Sequence, residues 1–140
     1  MKKLLFWATG LVFLAFSACV KDEPVPIVDE PVVIAPTDSV LSSGTFQNAV
    51  HTVSGSVRLI RKTDGSHILA FENFSTDSGP DLRVYLSTDK AASDFTEVFD
   101  GAKAGNFSLE VPATAKISEQ KMVLIWCQAF SVLFGSAELK

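Results

Sequence analysis

The sequence contains few of the residues that metal centres, haem attachment and disulfide scaffolds require. Its 140 residues include two cysteines, two histidines, two methionines and one tyrosine. No Cys-x-x-Cys-His segment occurs, which excludes covalent haem attachment through that motif, and two cysteines cannot build a disulfide framework. Glycine-rich phosphate loops and catalytic triad motifs find no counterpart either. Few groups are therefore left to carry chemistry.

Basic charge is also scarce, because 12 lysines and arginines accompany 16 acidic residues and give a formal charge of −4. Loss of residues 1–18, which include Lys2 and Lys3 but no acid, would change the charge to −6. An acidic chain without a basic run argues against nucleic acid and against anionic membrane surfaces as partners.

The first 18 residues have the layout of an export signal. Met1-Lys2-Lys3 precedes an apolar run from Leu4 to Phe16, and the small pair Ser17-Ala18 follows it. The run holds about 13 residues, whereas a helix needs roughly 20 to cross the hydrocarbon of a bilayer. We therefore expect this segment to be removed rather than to remain as a membrane span.

Cys19 indicates the kind of signal. Leu14-Ala15-Phe16-Ser17-Ala18-Cys19 resembles the lipobox at which bacterial lipoproteins are acylated and cleaved, although Phe16 stands where that family has a smaller aliphatic residue. The resemblance implies that Cys19 is the lipidated first residue and anchors the chain to the outer membrane of the cell envelope. An ordinary signal peptide with a cysteine near its cut is the alternative.

Residues 19–43 form a proline-rich acidic segment after the anchor. Prolines, acids and isolated valines alternate there without helix or strand periodicity, which predicts an extended tether that reaches on the order of 70 Å from the lipid. Its start, Val20-Lys21-Asp22-Glu23, resembles the surface-export signal of Bacteroidetes lipoproteins, which implies exposure on the cell surface. A chance cluster of solvated charges is the alternative.

Residues 44–140 have the pattern of one small all-β domain. Apolar residues from Val53 to Leu59 alternate with polar ones, and Thr63 to Ser66 supplies a hairpin turn. The return strand runs from His67 to Phe74, where Phe74 is displaced by one position, as at a bulge. Asp89 to Asp94 is expected to form one helical turn.

Further short β-prone stretches, separated by turns, follow this hairpin. They are Leu82–Leu86, Phe95–Phe99, Phe107–Val111, Met122–Cys127 and Phe130–Phe134. Short strands at this spacing predict an antiparallel β-sandwich or barrel-like domain of about seven to nine strands.

Cys127 allows two opposite interpretations. With Cys19 acylated, Cys127 has no intramolecular disulfide partner, and a free thiol outside the membrane meets oxidants and other thiols. Its apolar neighbours from Leu124 to Phe130 instead favour a buried, inert thiol that packs like a small apolar residue. The sequence leaves both interpretations open.

The other metal-type donors of the domain are His51, His67 and Met122. A blue-copper site needs two histidines and a thiolate, but no histidine or methionine follows Cys127 as it does in copper sandwich proteins. Non-covalent haem would need His51, Met122 or Cys127 as an axial ligand, which no spacing requires. We expect no metal site, with His51 at a turn or strand edge, and leave the cofactor unknown with haem as the alternative.

Several aspartates and glycines are explained by backbone geometry. Asp77, Asp81, Asp89 and Asp94 lie in or near predicted turns, where aspartate bonds the local backbone, with a calcium site as the alternative. Gly79 and Gly135 are interpreted as positions near turns or bulges that need glycine.

Several segments together resemble one known family. They are Gly44-Thr45-Phe46, His51-Thr52-Val53-Ser54-Gly55, Phe74 with Gly79-Pro80-Asp81-Leu82-Arg83-Val84-Tyr85-Leu86, and the most specific one, Ile125-Trp126-Cys127-Gln128-Ala129-Phe130-Ser131-Val132-Leu133-Phe134-Gly135-Ser136-Ala137. Residues 44–140 thereby resemble the DM-thirteen domain, also called the electron-transfer DM domain.

The resemblance implies an extracellular β-rich module, often found beside haem-binding DOMON domains, whose hallmark cysteine corresponds to Cys127. For the family, that cysteine is proposed to act in redox chemistry as a bare thiol or as the ligand of a prosthetic group. This chain contains no DOMON segment, and that departure weakens any internal electron path.

Two functional hypotheses follow. In the first, the domain is a redox or electron-transfer module in which Cys127 is the active group, Trp126 and Tyr85 shape its environment, and an extracytoplasmic redox protein is the partner. In the second, the loops Ser75–Pro80 and Gly101–Asn106 bind a protein or glycan and Cys127 is structural. An enzyme is the least supported class, because no second catalytic group can be placed beside Cys127.

Overall fold

The computed structural model describes residues 24–30 and 32–140. The predicted signal peptide, Cys19 and the charged segment Val20 to Glu23 lie outside the described residues. Within the described ranges the chain forms ten strands and no helix, so none that is long and apolar enough to cross a bilayer. The strands in chain order are β1 (Ile27–Asp29), β2 (Ser39–Thr45), β3 (Gln47–Asn48), β4 (Val53–Arg61), β5 (His67–Thr76), β6 (Leu82–Ser87), β7 (Phe95–Asp100), β8 (Ala104–Val111), β9 (Met122–Cys127) and β10 (Val132–Glu138).

The ten strands form two five-stranded sheets. The first sheet has the order β1-β8-β5-β4-β2, and the second has the order β3-β10-β9-β6-β7. Every pairing is antiparallel except that of β1 with β8, which is parallel. The predicted all-β sandwich is confirmed, with ten strands against the expected seven to nine.

The inner faces of the two sheets enclose one apolar core. The alternating apolar residues of β4 face this core and pair with buried residues of β5. Val57 pairs with Phe71 and Leu59 with Leu69, and all four are fully buried. Phe71 also stacks on Phe107 of β8, with ring centroids 4.6 Å apart. Burying one such side chain contributes about 1.5–3 kcal/mol.

The first hairpin and its bulge follow the sequence prediction. The turn between β4 and β5 closes with a 2.8 Å hydrogen bond from the amide of Lys62 to the carbonyl of Ser66. Farther along β5, the register with β8 shifts between Phe71 and Phe74, and Asn73 has a φ of 49°. This irregularity returns Phe74 to the core, where it is buried.

Two local predictions are wrong. Asp89 to Asp94 forms turns and bends instead of a helical turn, because the Asp89 carboxylate accepts hydrogen bonds from the amides of Ala91 and Ser93. The last strand begins at Val132 rather than Phe130, because Ser131 has a φ of 53° and closes a turn that excludes Phe130 from the sheet.

Much of the expected tether belongs to the sandwich. β1 extends the first sheet along β8, and β2 pairs with β4 from Ser39 opposite Arg61 to Thr45 opposite Ser56. The prediction of a free tether up to residue 43 is therefore wrong for these strands. Both are edge strands that bury few side chains, so their sequences show no clear alternation.

The segment between β1 and β2 covers the outer face of the first sheet. Val32 and Ile34 pack there on the buried side chains of Ile60, Ile68 and Ala70. These three residues would otherwise expose apolar surface to water. The isolated apolar residues of the proline-rich segment thus serve as a second, smaller core.

Different loops lie at the two ends of the sandwich. The Cys127 end consists of loops 49–52, 77–81, 100–103 and 128–131, which the strand registers bring together. The hairpin end consists of turns 62–66, 88–94 and 112–121. The parallel register places the start of β1 at the Cys127 end, beside Ala104.

Gly105 of β8 provides a test of the β1 attachment. It has a φ of +96°, and a methyl group there would overlap the carbonyl oxygen of Val28. We expect Gly105→Ala to displace β1 and to lower the free energy of unfolding by more than the roughly 1–3 kcal/mol that an unfavourable backbone conformation costs. Urea unfolding and limited proteolysis within residues 24–34 measure the two effects.

Gly65 supplies the matched control, because it has a φ of +86° but no atom within 4 Å of an added methyl group. Gly65→Ala should therefore carry the backbone cost alone and leave residues 24–34 protected. Equal protease sensitivity in the two variants would contradict the attachment.

Candidate functional site

Cys127 is the last residue of β9 and points into the core between the sheets. It is 0 % exposed, and its thiol forms no disulfide with any described residue. Its register partners are Leu82 of β6 and Val132 of β10, and both pack into the same apolar core. Cys127 is therefore a buried free thiol in apolar surroundings.

Phe134 and Gly79 close the core at this end of the sandwich. Phe134 lies where the β9–β10 register shifts, between Leu133 and Gly135. A Cβ atom at Gly79 would lie 2.9 Å from Leu82 Cδ2 and 2.9 Å from Phe134 Cζ. Only glycine allows the 77–81 loop to approach so closely, which confirms its structural interpretation.

Gly135 has a structural role of the same kind. A Cβ atom at this position would lie 2.6 Å from the Cβ of Val53 and 2.7 Å from the carbonyl oxygen of Gln47. Neither neighbour can move without disturbing β3 or β4. Glycine here allows β4 and β10, which belong to different sheets, to come together beside the Phe134 bulge.

His51 lies on the outer side of Phe134. Its ring stacks on Phe134 with centroids 3.8 Å apart, and its Nδ1 is 3.5 Å from a carboxylate oxygen of Asp77. That carboxylate also accepts a 2.9 Å hydrogen bond from the amide of Thr52. No hydrogen bond joins His51 to Cys127, so the two candidates lie at the same end but do not form a thiol–imidazole pair.

Tyr85 and Trp126 lie on the opposite face of the second sheet from Cys127. Tyr85 stacks on Phe95 at 4.2 Å and lies 6.4 Å from the Trp126 ring. Burial, assisted by the charge of Glu97, raises the pKa of Tyr85. The hypothesis that these aromatics surround Cys127 is wrong, because successive residues of a strand point to opposite faces.

The structure separates the donors that a blue-copper site would need. His67 starts β5, whereas His51 contacts Asp77, just beyond the other end of the same ten-residue strand. Ten residues of strand span roughly 30 Å. Met122 likewise lies at the far end of β9 from Cys127 and packs on the outer face. In the described part of the chain, no three His, Cys, Asp or Glu side chains come together as a metal site.

The turn aspartates serve different purposes. Asp89 bonds its local backbone as expected. Asp81 instead pairs with Arg83 at 2.7 Å, Asp94 pairs with Lys116 at 2.7 Å, and Asp77 bonds Thr52 across two loops. The bond from Asp81 raises the pKa of Arg83. The interpretation as local turn chemistry is therefore correct for Asp89 and wrong for the other three.

Packing around Cys127 does not fit a prosthetic group such as haem. A cleft of about 500 Å³ lies between Gly44, Arg58, Glu72 and Glu138, and three others have volumes of about 280–370 Å³. Neither Cys127 nor His51 lines any of these four clefts. A haem ligated by Cys127 would have to displace Leu82, Val132 or Phe134 from the core. A bare thiol requires no such change.

The contact between Phe134 and His51 was not predicted from the sequence. The two residues are far apart in the chain, and Phe134 occurs in a run of apolar residues that gives no hint of a bulge. Gly135, directly after it, is the one signal that could have indicated a strand irregularity.

The comparisons with known proteins identify the domain. A family model described as electron transfer DM13 matches residues 45–139. The chain belongs to the electron-transfer DM13 family. No curated protein and no solved structure matches it. The DM13 match covers all of the buried core around Cys127, whereas β1 and nearly all of β2 precede it.

The packing of Cys127 in the DM13 domain can be tested by substitution. Cys127→Ser places a hydroxyl group in an apolar core without a hydrogen-bond partner, which costs about 1–3 kcal/mol. Cys127→Ala removes the sulfur but introduces no polar group. We expect the serine variant to have the lower free energy of unfolding, measured with urea. Equal values for the two variants would show that the site is polar or hydrated.

Proposed function

We propose that the protein is a lipoprotein anchored at Cys19 to the outer membrane and exposed on the cell surface, and that its DM13 domain acts in electron transfer through Cys127. Membership of the electron-transfer DM13 family supports the redox role. The sequence resemblance at residues 14–23 supports the anchor and exposure on the cell surface. The observation that carries the redox proposal is the placement of Cys127, a free thiol directly before the exposed turn 128–131.

The closed packing favours a bare thiol over a cofactor ligand as the redox group. The Cys127 thiol loses its proton to solvent, and the thiolate attacks a disulfide of an extracytoplasmic redox protein. A mixed disulfide forms, and the partner's other sulfur leaves as a thiolate. Cys127 is thereby oxidised and that leaving sulfur is reduced. To release Cys127, a thiolate of the partner attacks the partner's sulfur in the mixed disulfide. A disulfide forms within the partner, the bond to Cys127 breaks, and Cys127 leaves as a thiolate that takes up a proton.

A buried thiol can react in this way only if the structure opens locally. The 128–131 turn is held by a 2.8 Å bond from the amide of Gln128 to the carbonyl of Asp81 and by a 3.3 Å bond within the turn. The bulge at Phe134 separates two pairs, Val132–Cys127 and Leu133–Trp126, from the rest of the β9–β10 ladder. Opening at this turn would expose the thiol and leave the core intact.

A second function is favoured by one specific observation, the complete burial of Cys127. In this alternative the domain is a surface-binding module and the thiol is structural. Loops 75–80 and 101–106, which were predicted to bind a partner, contribute Gly79, Pro80 and Gly101 to one cleft of about 280 Å³. Pro24 and Pro26 of the N-terminal segment form its other wall.

Mixed-disulfide formation distinguishes the two functions. The lipidated protein, purified from cells supplied with haem and copper, is incubated with oxidised glutathione under native conditions and analysed by mass spectrometry. The redox proposal predicts a glutathione adduct at Cys127, which is absent in the Cys127→Ala control. It also predicts an empty visible spectrum.

Two other outcomes contradict this proposal in different ways. A thiol that reacts only after unfolding, together with an empty spectrum, would assign Cys127 to the core and favour the binding module. A visible band that Cys127→Ala abolishes would instead show that Cys127 holds a prosthetic group.

A further inference from the structure

We propose that the Cys127 end of the sandwich rests on the phospholipid surface in which Cys19 is anchored. This inference depends on the lipidation in the proposed function but not on the redox role of Cys127. Because the 128–131 turn faces the lipid in this orientation, reaction of Cys127 with a partner requires the domain to lift from the surface. The occupant of this end is the headgroup layer of zwitterionic phospholipid.

The length of chain before the first described residue limits the distance between the domain and the lipid. Cys19 and Pro24 are separated by five residue steps (24 − 19 = 5). At 3.3–3.6 Å per residue, a fully extended chain spans at most about 18 Å. The acylated residue must therefore lie within roughly 18 Å of Pro24, far less than the 70 Å that a free tether would allow.

The N-terminal segment approaches the domain at the Cys127 end. Pro24, Val25 and Pro26 line a cleft together with Gly79–Leu82 and Asp100–Ala102. The carbonyl of Pro26 accepts a 2.8 Å hydrogen bond from the amide of Ala104. The anchor and the Cys127 end therefore lie on the same side of the domain.

Several contacts fix the segment in this position. The amide of Glu30 donates to the carbonyl of Asn106 at 2.8 Å, and the Asn106 side chain donates to Asp29 at 2.9 Å. Val25 and Val28 pack against the main core. Because residues 25–30 are attached to the sandwich, only the short stretch before them is available as a linker to the anchor.

The Cys127 end also carries the exposed apolar side chains that a lipid interface accommodates. Phe130 in the 128–131 loop is 70 % exposed, Val50 in the 49–52 loop is 69 % exposed, and Ile27 at the start of β1 is 84 % exposed. Exposed apolar groups on neighbouring loops are typical of an interaction surface. Transfer of phenylalanine and aliphatic side chains from water to the boundary of headgroups and acyl chains is favourable.

Two carboxylates at this end are paired with one cation, which reduces their repulsion from a phosphate-bearing surface. Arg83 pairs with Asp81 at 2.7 Å and with Asp100 at 2.9 Å. The chain as a whole is acidic, so anionic lipid is disfavoured and zwitterionic lipid is the matching surface.

Two matched alanines allow the orientation to be measured. Ala129 is exposed at the Cys127 end, and Ala113 is exposed at the hairpin end. The eight residues of β8 separate the ends by roughly 25 Å. Ala129→Cys and Ala113→Cys are each made in the lipidated Cys127→Ala protein, labelled with a fluorophore and reconstituted in phosphatidylcholine vesicles that contain a nitroxide-headgroup lipid. We expect strong quenching of the label at residue 129 and little at residue 113.

The outcomes of this experiment distinguish failure of the anchor from failure of the orientation. Mass spectrometry of Cys19 comes first, because an unacylated Cys19 would overturn both this inference and the proposed anchor. Acylation with equal quenching at the two labels, or stronger quenching at residue 113, would overturn the inference alone and leave the redox proposal standing. The vesicles contain lipid and no other protein, so lipid is the one surface available to the domain. A label at residue 129 that is not quenched in these vesicles would show that the Cys127 end does not bind lipid.

Two further measurements test the apolar contact and the unsubstituted protein. Val50→Ser with Phe130→Ser should reduce quenching at residue 129, whereas Val40→Ser, at an exposed valine of the hairpin end, should leave it unchanged. Equal effects would contradict the apolar contact.

In the unsubstituted protein, Trp126 is the single tryptophan after residue 18, and its fluorescence should also fall with the nitroxide lipid. Unchanged fluorescence would contradict the orientation.

Discussion

The fold depends on the burial of a phenylalanine cluster between the two sheets. Phe71 lies at its centre, stacked on Phe46 and Phe107 and in edge contact with Phe74 at centroid distances of 4.6–5.8 Å. Phe46 is the single residue between β2 of the first sheet and β3 of the second, so its burial fixes the point where the chain changes sheets. Offset and edge contacts of this kind add to the area term that drives the sheets together.

The close packing of the core determines whether the Cys127 thiol can react. At the end of the core, a small apolar group is needed between Leu82 and Val132, and a thiol fills that space without a hydrogen bond. Burial also protects a lone thiol from oxidants. The redox function proposed above therefore requires local opening of the 128–131 turn, which few hydrogen bonds hold.

The sequence predicted those features that depend on strong alternation or on a specific motif. Val53, Val57 and Leu59 alternate with Ser54, Ser56 and Arg58 because one face of β4 is buried there, and the Trp126-Cys127 segment carried the family resemblance. β1 and β2 were missed because edge strands bury few side chains. The period-two rule, applied to β9, would have placed Trp126 on the face opposite Cys127. The stacking of His51 on Phe134 could not be predicted, because it depends on a bulge and on two distant segments.

Cys127 is sealed in the core, and the proposed function requires that local opening of the 128–131 turn exposes it. The most direct test is the rate at which a thiol reagent modifies Cys127 as a function of urea concentration below the unfolding transition. Local opening exposes little surface, so the logarithm of the rate should depend only weakly on urea. A dependence as steep as that of global unfolding would contradict the claim and would leave Cys127 as a structural residue of the core.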